Sequence, residues 1–70
     1  MITVKKIETE NKRIQILKSE LGYYVVSASL KIKLKKALRK TQWKIKASAN
    51  YSTLKDATDK YNEYREIWEI

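Results

Sequence analysis

Residues 24–51 read YVVSASLKIKLKKALRKTQWKIKASANY, and this stretch decides the fold. Every second residue over 24–34 is apolar, and the same holds over 43–51. A period of two places alternate side chains on one face of a β-strand. The sequence therefore predicts two strands joined by a polar connector at 36–41.

Antiparallel pairing of Leu34 with Trp43 puts both apolar sets on the same face of this predicted hairpin, with Ile32 opposite Ile45. A competing interpretation makes residues 29–41 a helix, because some apolar residues there also recur at helical spacing. The strand is preferred because Ile32 fits the period of two and does not fit the helical stripe.

The same register gathers lysines on the other face, with Lys33 opposite Lys44 and Lys31 opposite Lys46. Like charges directly opposite each other destabilise a sheet, so folding alone does not explain the arrangement. Lysines neutralise phosphates and release counterions, and a two-stranded ribbon fits the major groove of DNA. The candidate contact residues for nucleic acid or an acidic partner are Lys31, Lys33, Lys35, Arg39, Lys44 and Lys46. Arginine is preferred for reading bases, so this Lys-rich set predicts weakly specific, salt-dependent binding.

The C-terminal segment has the pattern of an amphipathic helix over residues 53–69. Thr53 and Asp56 have the spacing of a capping box, in which the hydroxyl accepts a hydrogen bond from the backbone N–H three residues on. Apolar residues then follow at steps of three and four, which places them on one stripe. They are Leu54, Ala57, Tyr61, Tyr64, Ile67 and Trp68.

Residues 3–21 fit two structures. Val4, Ile7, Asn11, Ile14, Leu17 and Leu21 follow helical spacing. Gly22 then stands where a helix would end in a left-handed cap. The alternative is a hairpin, with strands at 2–7 and 13–18 and a turn at 9–12. The helix is the favoured interpretation.

The predicted architecture is one small α+β domain over residues 1–70, consisting of a helix, a long antiparallel hairpin and a C-terminal helix. An isolated two-stranded sheet is marginally stable in water, and its unpaired edges promote association. The chain has no Cys and therefore no disulfide to support a thin core. We therefore expect a homodimer in which two hairpins complete a shared sheet.

The charge is unevenly spread along the chain, whose formal net charge is +8. Residues 1–46 hold 13 Lys and Arg against 3 Glu, whereas residues 47–70 hold 3 against 5 acids. Such asymmetry suggests a polyanion, such as DNA or RNA, or an acidic protein surface as partner. No apolar run reaches the length of a membrane span, and the first residues lack the apolar core of a signal peptide. We expect a cytoplasmic protein that does not contact membranes.

Catalysis finds little support in the residue types present. The chain has no Cys and no His, which excludes a zinc site built from those ligands, and it has no Gly-rich phosphate loop. Asp56, Asp59 and Glu63 lie on one face of the predicted helix, as solvated helix charges often do. We therefore expect a protein that is not an enzyme and needs no cofactor. The alternative to nucleic-acid binding is a protein–protein interaction module, a homodimer or a partner-protein binder.

Two short stretches carry a resemblance to a known family. Residues 22–26 (GYYVV) and 51–57 (YSTLKDA), with the Lys-rich ribbon between them, resemble small prophage-encoded proteins of Bacillus. The whole chain is similar in size and style to the YopT-like family of the SPβ prophage. The resemblance implies a phage-type accessory protein of the bacterial cytoplasm and a dimer, and it transfers no site residues. For such a protein, DNA or RNA is the first candidate partner and an acidic host or phage protein is the second.

Overall fold

The computed structural model describes residues 1–33 and 41–70, which form an antiparallel sheet followed by one helix. The strands are β1 (Ile2–Glu8), β2 (Lys12–Lys18), β3 (Tyr24–Lys33) and β4 (Thr41–Tyr51), and the helix is α1 (Leu54–Trp68). The order across the sheet is β1-β2-β3-β4, so each strand pairs with its neighbour along the chain. The predicted α+β class, the β3–β4 hairpin and the C-terminal helix are confirmed.

The helix predicted for residues 3–21 is wrong, and the alternative hairpin is what forms. β1 and β2 pair antiparallel, and Thr9 N donates to Lys12 O at 2.8 Å across the turn. Ile14 and Ile16 are both fully buried, because β2 lies between β1 and β3 and directs alternate side chains into the core. Their period of two, rather than the helical spacing of the wider segment, determines the structure.

Gly22 adopts the left-handed conformation expected of it, with φ at 91°, but in a turn between strands. Gly22 N donates to Ser19 O at 3.2 Å, and Ser19 N donates to Tyr23 O at 2.9 Å. These bonds close the connection from β2 to β3. A residue without a Cβ adopts this conformation at little cost.

The core lies on one side of the sheet, which we call the helix face, and α1 covers it. Isoleucines of β2 and small apolar residues of β3 meet two residues of the helix there. The buried set is Ile14, Ile16, Val26, Ala28, Ala57 and Tyr61. The other side carries no helix among the described residues, and we call it the open face.

The α1 helix begins where its sequence predicts. Thr53 is the N-cap, and its Oγ1 accepts a hydrogen bond of 3.3 Å from Asp56 N. The predicted stripe is buried at Ala57 and Tyr61, whereas Leu54 and Ile67 at its two ends are exposed. Tyr64 and Trp68 of the same stripe pack partly buried against the core, so contact with the sheet extends from Ala57 to the end of the helix.

The register predicted for β3 and β4 is wrong. Ala28 pairs with Ala47, which shifts β4 by two residues from the predicted register and keeps these side chains on the predicted face. The next pair is Ser29 with Ile45, so Lys46 is an extra residue in a bulge. Because one inserted residue reverses the alternation, the side chains of β4 before Lys46 lie on the face opposite to the predicted one.

The bulge overturns the predicted lysine ladder. Lys31 pairs with Trp43 and not with Lys46, and Lys33 pairs with Thr41 and not with Lys44. The predicted pairing of Trp43 with Leu34 is therefore also wrong.

A single chain supplies all four strands of the sheet. A second copy is therefore not needed to turn a two-stranded hairpin into a larger sheet. Both edge strands also carry a bulge, at Val4 in β1 and at Lys46 in β4. Lysines flank each bulge, with Lys5 and Lys6 on one edge and Lys44 on the other. Bulges and lysines are devices that keep sheet edges from pairing with other chains. The homodimer stays a prediction: an isolated two-stranded sheet no longer argues for it, whereas the thin core without a disulfide still does.

The β3–β4 hairpin extends past the rest of the sheet. The pairing of β2 with β3 ends at Lys12 and Leu30, whereas β3 continues to pair with β4 as far as Lys33 and Thr41. We call the two segments 31–33 and 41–43 the ribbon arm. Lys31 N still donates to Asn11 O at 2.8 Å, so the arm is tied at its base to the turn between β1 and β2 and projects beyond β2 from there.

Candidate nucleic-acid interface

The predicted contact residues are grouped around the ribbon arm but do not share one face. Lys31 is exposed on the open face, and Lys44, also exposed, lies opposite Leu30 on the helix face. Lys46 is the exposed extra residue of the bulge, and Lys33 belongs to the arm as the partner of Thr41. Lys35 and Arg39 lie outside the described residues. The described lysines therefore flank the hairpin on two sides instead of coating one.

No acid interrupts this positive region along the chain. The sequence between Glu20 and Asp56 contains no Asp or Glu. α1, which covers the helix face, carries four exposed acids. They are Asp56, Asp59, Glu63 and Glu66. The β3–β4 hairpin thus carries basic residues alone, whereas α1 carries both signs, with Lys55, Lys60 and Arg65 beside its acids.

Trp43 forms the centre of a cation–aromatic cluster on the open face. The Arg13 guanidinium carbon lies 4.1 Å from the centre of the Trp43 ring, and Lys31 Nζ lies 5.5 Å from it. Cations at these distances are attracted to the electron-rich face of an indole. Arg13 belongs to β2 and Trp43 to β4, so their contact spans the intervening strand β3.

Ser29 makes this contact across β3 possible. It pairs with Arg13 on one side and Ile45 on the other, and it is 3% exposed although α1 lies on the opposite face. Its short side chain leaves room for the guanidinium and the indole to meet above the strand. A larger residue at Ser29 would separate them.

Glu8 holds the Arg13 guanidinium in position. Arg13 Nε donates to Glu8 Oε1 at 2.7 Å, and the two residues face each other across β1 and β2. The hydrogen bond from Arg13 lowers the pKa of the Glu8 carboxyl below its ordinary value, outweighing a smaller opposing effect of desolvation. Both side chains are partly exposed, so the pair orients the arginine more than it stabilises the fold.

The β4 bulge places Trp43 in this cluster. Without the extra residue, the alternation of β4 would direct Trp43 to the helix face, as the sequence predicts. Trp43 is instead only partly buried, outside the buried core and the residues packed against it. Bulges often redirect a side chain in this way beside functional sites.

Sequence reasoning missed Arg13 because its segment was interpreted as a helix. In the alternative hairpin, Glu8 and Arg13 directly flank the turn and would have been recognised as a cross-strand pair of opposite charge. The signal was therefore present but belonged to the interpretation that was not favoured.

The described residues offer charge and stacking rather than an enclosed site. Across 1–33 and 41–70 there is no group of three acids placed to hold a metal ion, and no pocket opens in the surface. Within the same ranges, no helix has the length and apolar character to cross a membrane.

Comparison with known proteins finds no relative of this chain. No protein-family model matches the chain, and neither a curated protein nor a solved structure does.

Proposed function

We propose that this protein binds nucleic acid without sequence specificity, through the ribbon arm and the lysines beside it. The observation that carries the proposal is the grouping of Lys31, Lys44 and Lys46 around a projecting hairpin that contains no acid. The resemblance of residues 22–26 and 51–57 to prophage proteins supports a phage-type accessory role in the bacterial cytoplasm.

The physical basis is the attraction of lysines for phosphates. Each lysine that neutralises a phosphate releases a condensed counterion, and the affinity then falls steeply as salt rises. Lys44 and Lys46 carry compact charges on flexible stems and lack the planar fork with which arginine reads a base pair. Binding should therefore follow backbone charge and vary little with sequence.

The test is a titration with DNA and with RNA at about 50 mM and about 200 mM salt. We expect binding at low salt that weakens by at least tenfold at the higher concentration. The double variant Lys44→Gln/Lys46→Gln should bind more weakly, and its salt slope should fall by about one for each phosphate that is no longer neutralised.

The matched control changes two lysines of α1 in the same way. The double variant Lys55→Gln/Lys60→Gln has the same net charge as the β4 variant but leaves the ribbon arm unchanged. We expect its affinity to remain close to that of the natural chain. Equal losses in the two variants would show that net charge alone is responsible, and absence of binding at low salt would refute the proposal.

Protein binding is the second candidate function, with a second copy of the chain or an acidic protein as partner. It is favoured by Ile45, which is 62% exposed on the open face of an edge strand. Light scattering at micromolar concentration tests the homodimer. A dimer that is lost on Ile45→Lys, in a chain that binds neither DNA nor RNA, would favour this candidate.

A further inference from the structure

We infer that Trp43 is a base-stacking site and that the preferred ligand is single-stranded nucleic acid. This inference rests on the proposed function and specifies which form of nucleic acid the same region binds. It depends on three features of Trp43: its position outside the core, its place on an edge strand beside the cations of β2 and β3, and Lys31 opposite it.

Trp43 contributes little to the hydrophobic core. It lies on the face that α1 does not cover, and it is absent from the set of residues packed around Ile14 and Val26. A bulge at Lys46 is needed to place it there. A large aromatic residue directed away from the core by a local irregularity is available for a ligand.

Both cations beside Trp43 come from strands on one side of β4. Arg13 belongs to β2 and Lys31 to β3, and both strands lie on the same side of β4 in the sheet. β4 is the edge, so no strand of the described chain lies on its other side. A base that approaches from the edge can stack on the indole and complete a sandwich of guanidinium, indole and base.

Single strands fit this arrangement better than a duplex. In a duplex both faces of each base are already stacked on neighbouring bases, whereas an unpaired strand can turn a base face toward an aromatic ring. Lys31 pairs with Trp43 on the open face, so it can contact a phosphate next to the stacked nucleotide, whereas Lys44 lies on the helix face of the same edge strand and can only be reached around that edge. Aromatic stacking combined with a positively charged track is typical of sequence-tolerant single-strand binding.

The experiment uses the full-length chain with Trp68→Phe, which leaves Trp43 as its only tryptophan. Its fluorescence is followed at low salt during addition of oligothymidylate about 12 nucleotides long, and separately of a duplex of equal length. We expect quenching of Trp43 by the single strand and tighter binding of the single strand than of the duplex.

Substitutions of Trp43 separate stacking from charge. In otherwise natural chains, we expect Trp43→Ala to weaken single-strand binding about fivefold or more without changing the salt slope. Trp43→Phe should retain most of the affinity, since a ring remains. The control is Ile45→Ala, which shortens the neighbouring residue on the same face and should bind as the natural chain does. Circular dichroism confirms that each variant is folded.

The outcomes distinguish this inference from the proposed function. Salt-dependent binding that is equal for single strand and duplex, with unchanged Trp43 emission, would overturn the inference and leave the proposed function standing. Absence of binding to both ligands at low salt would overturn the two together.

Discussion

Lys12 Nζ donates a 2.9 Å hydrogen bond to the backbone carbonyl of Trp68, which ties the last turn of α1 to strand β2. Carbonyls at a helix C-terminus have no partner within the helix, and a cation there also favours the helix dipole. Arg65 Nε makes a similar bond of 3.0 Å to the carbonyl of Ile70. Lys12 of the sheet thus holds the last turn of α1, and Arg65 holds the residues that follow it.

Replacing Lys12 should weaken the attachment of the helix. We expect Lys12→Met, which retains the apolar stem, to lower the free energy of unfolding by about 1–2 kcal/mol. Urea denaturation followed by circular dichroism measures the change. Lys18→Met on the same strand serves as the control, and an equal loss in both variants would argue against the specific bond.

The N-cap of α1 gives a second stability prediction. Thr53→Ala removes the hydroxyl that accepts from Asp56 N, and should cost about 1 kcal/mol. Thr53→Ser should restore most of the stability because it keeps the acceptor. Ser52→Ala, one residue earlier and exposed, should have almost no effect. If Thr53→Ala unfolds at the same urea concentration as Ser52→Ala, the cap does not stabilise the helix.

The hydroxyl of Ser27 is buried, and it has no hydrogen-bond partner among residues 1–33 and 41–70. Leaving a buried polar group unsatisfied is costly, so Ser27→Ala should raise the free energy of unfolding by about 1 kcal/mol. Ser48 pairs with Ser27 across β3 and β4 but is exposed, and Ser48→Ala should change stability little. A loss of stability in Ser27→Ala would mean that the hydroxyl has a favourable interaction in solution.

The Glu8–Arg13 pair predicts a dependence on pH. Because the pKa of Glu8 is lowered in the folded chain, the pair stabilises the fold above the ordinary pKa of a glutamate. That contribution is lost as the pH falls through the lowered value. We expect Arg13→Gln to raise the pKa of Glu8 toward its ordinary value, as measured by an NMR titration of the carboxyl carbon. Lys6→Gln removes a weaker charge effect and should raise this pKa by less.

Sequence patterns correctly predicted the helices and strands whose structure depends on residues close together along the chain. The cap at Thr53 and the apolar steps to Tyr61 determine α1 before any tertiary contact is known. The period of two in β3 survives in the structure, where Val26 and Ala28 face the helix. These predictions succeeded because one strong pattern covered each segment.

The remainder depended on contacts between distant residues. The apolar residues of 3–21 fit both a helix and a hairpin, and the choice follows from the pairing of β2 with β3. No feature of the sequence indicates the bulge, because the alternation of apolar and polar residues continues unbroken past Lys46. Charge alone identified Lys31, Lys44 and Lys46 as candidates. The face on which each lysine lies, and the role of Arg13, could be derived only from the strand register.

The position of α1 at the end of the described fold has a consequence for synthesis. The residues that close the core, Ala57 and Tyr61, leave the ribosome after the entire sheet has been made. Until then Ile14, Ile16 and Val26 have nothing to cover them, and such uncovered surface promotes aggregation. The nascent chain, rather than the finished protein, is therefore the form in most need of a chaperone.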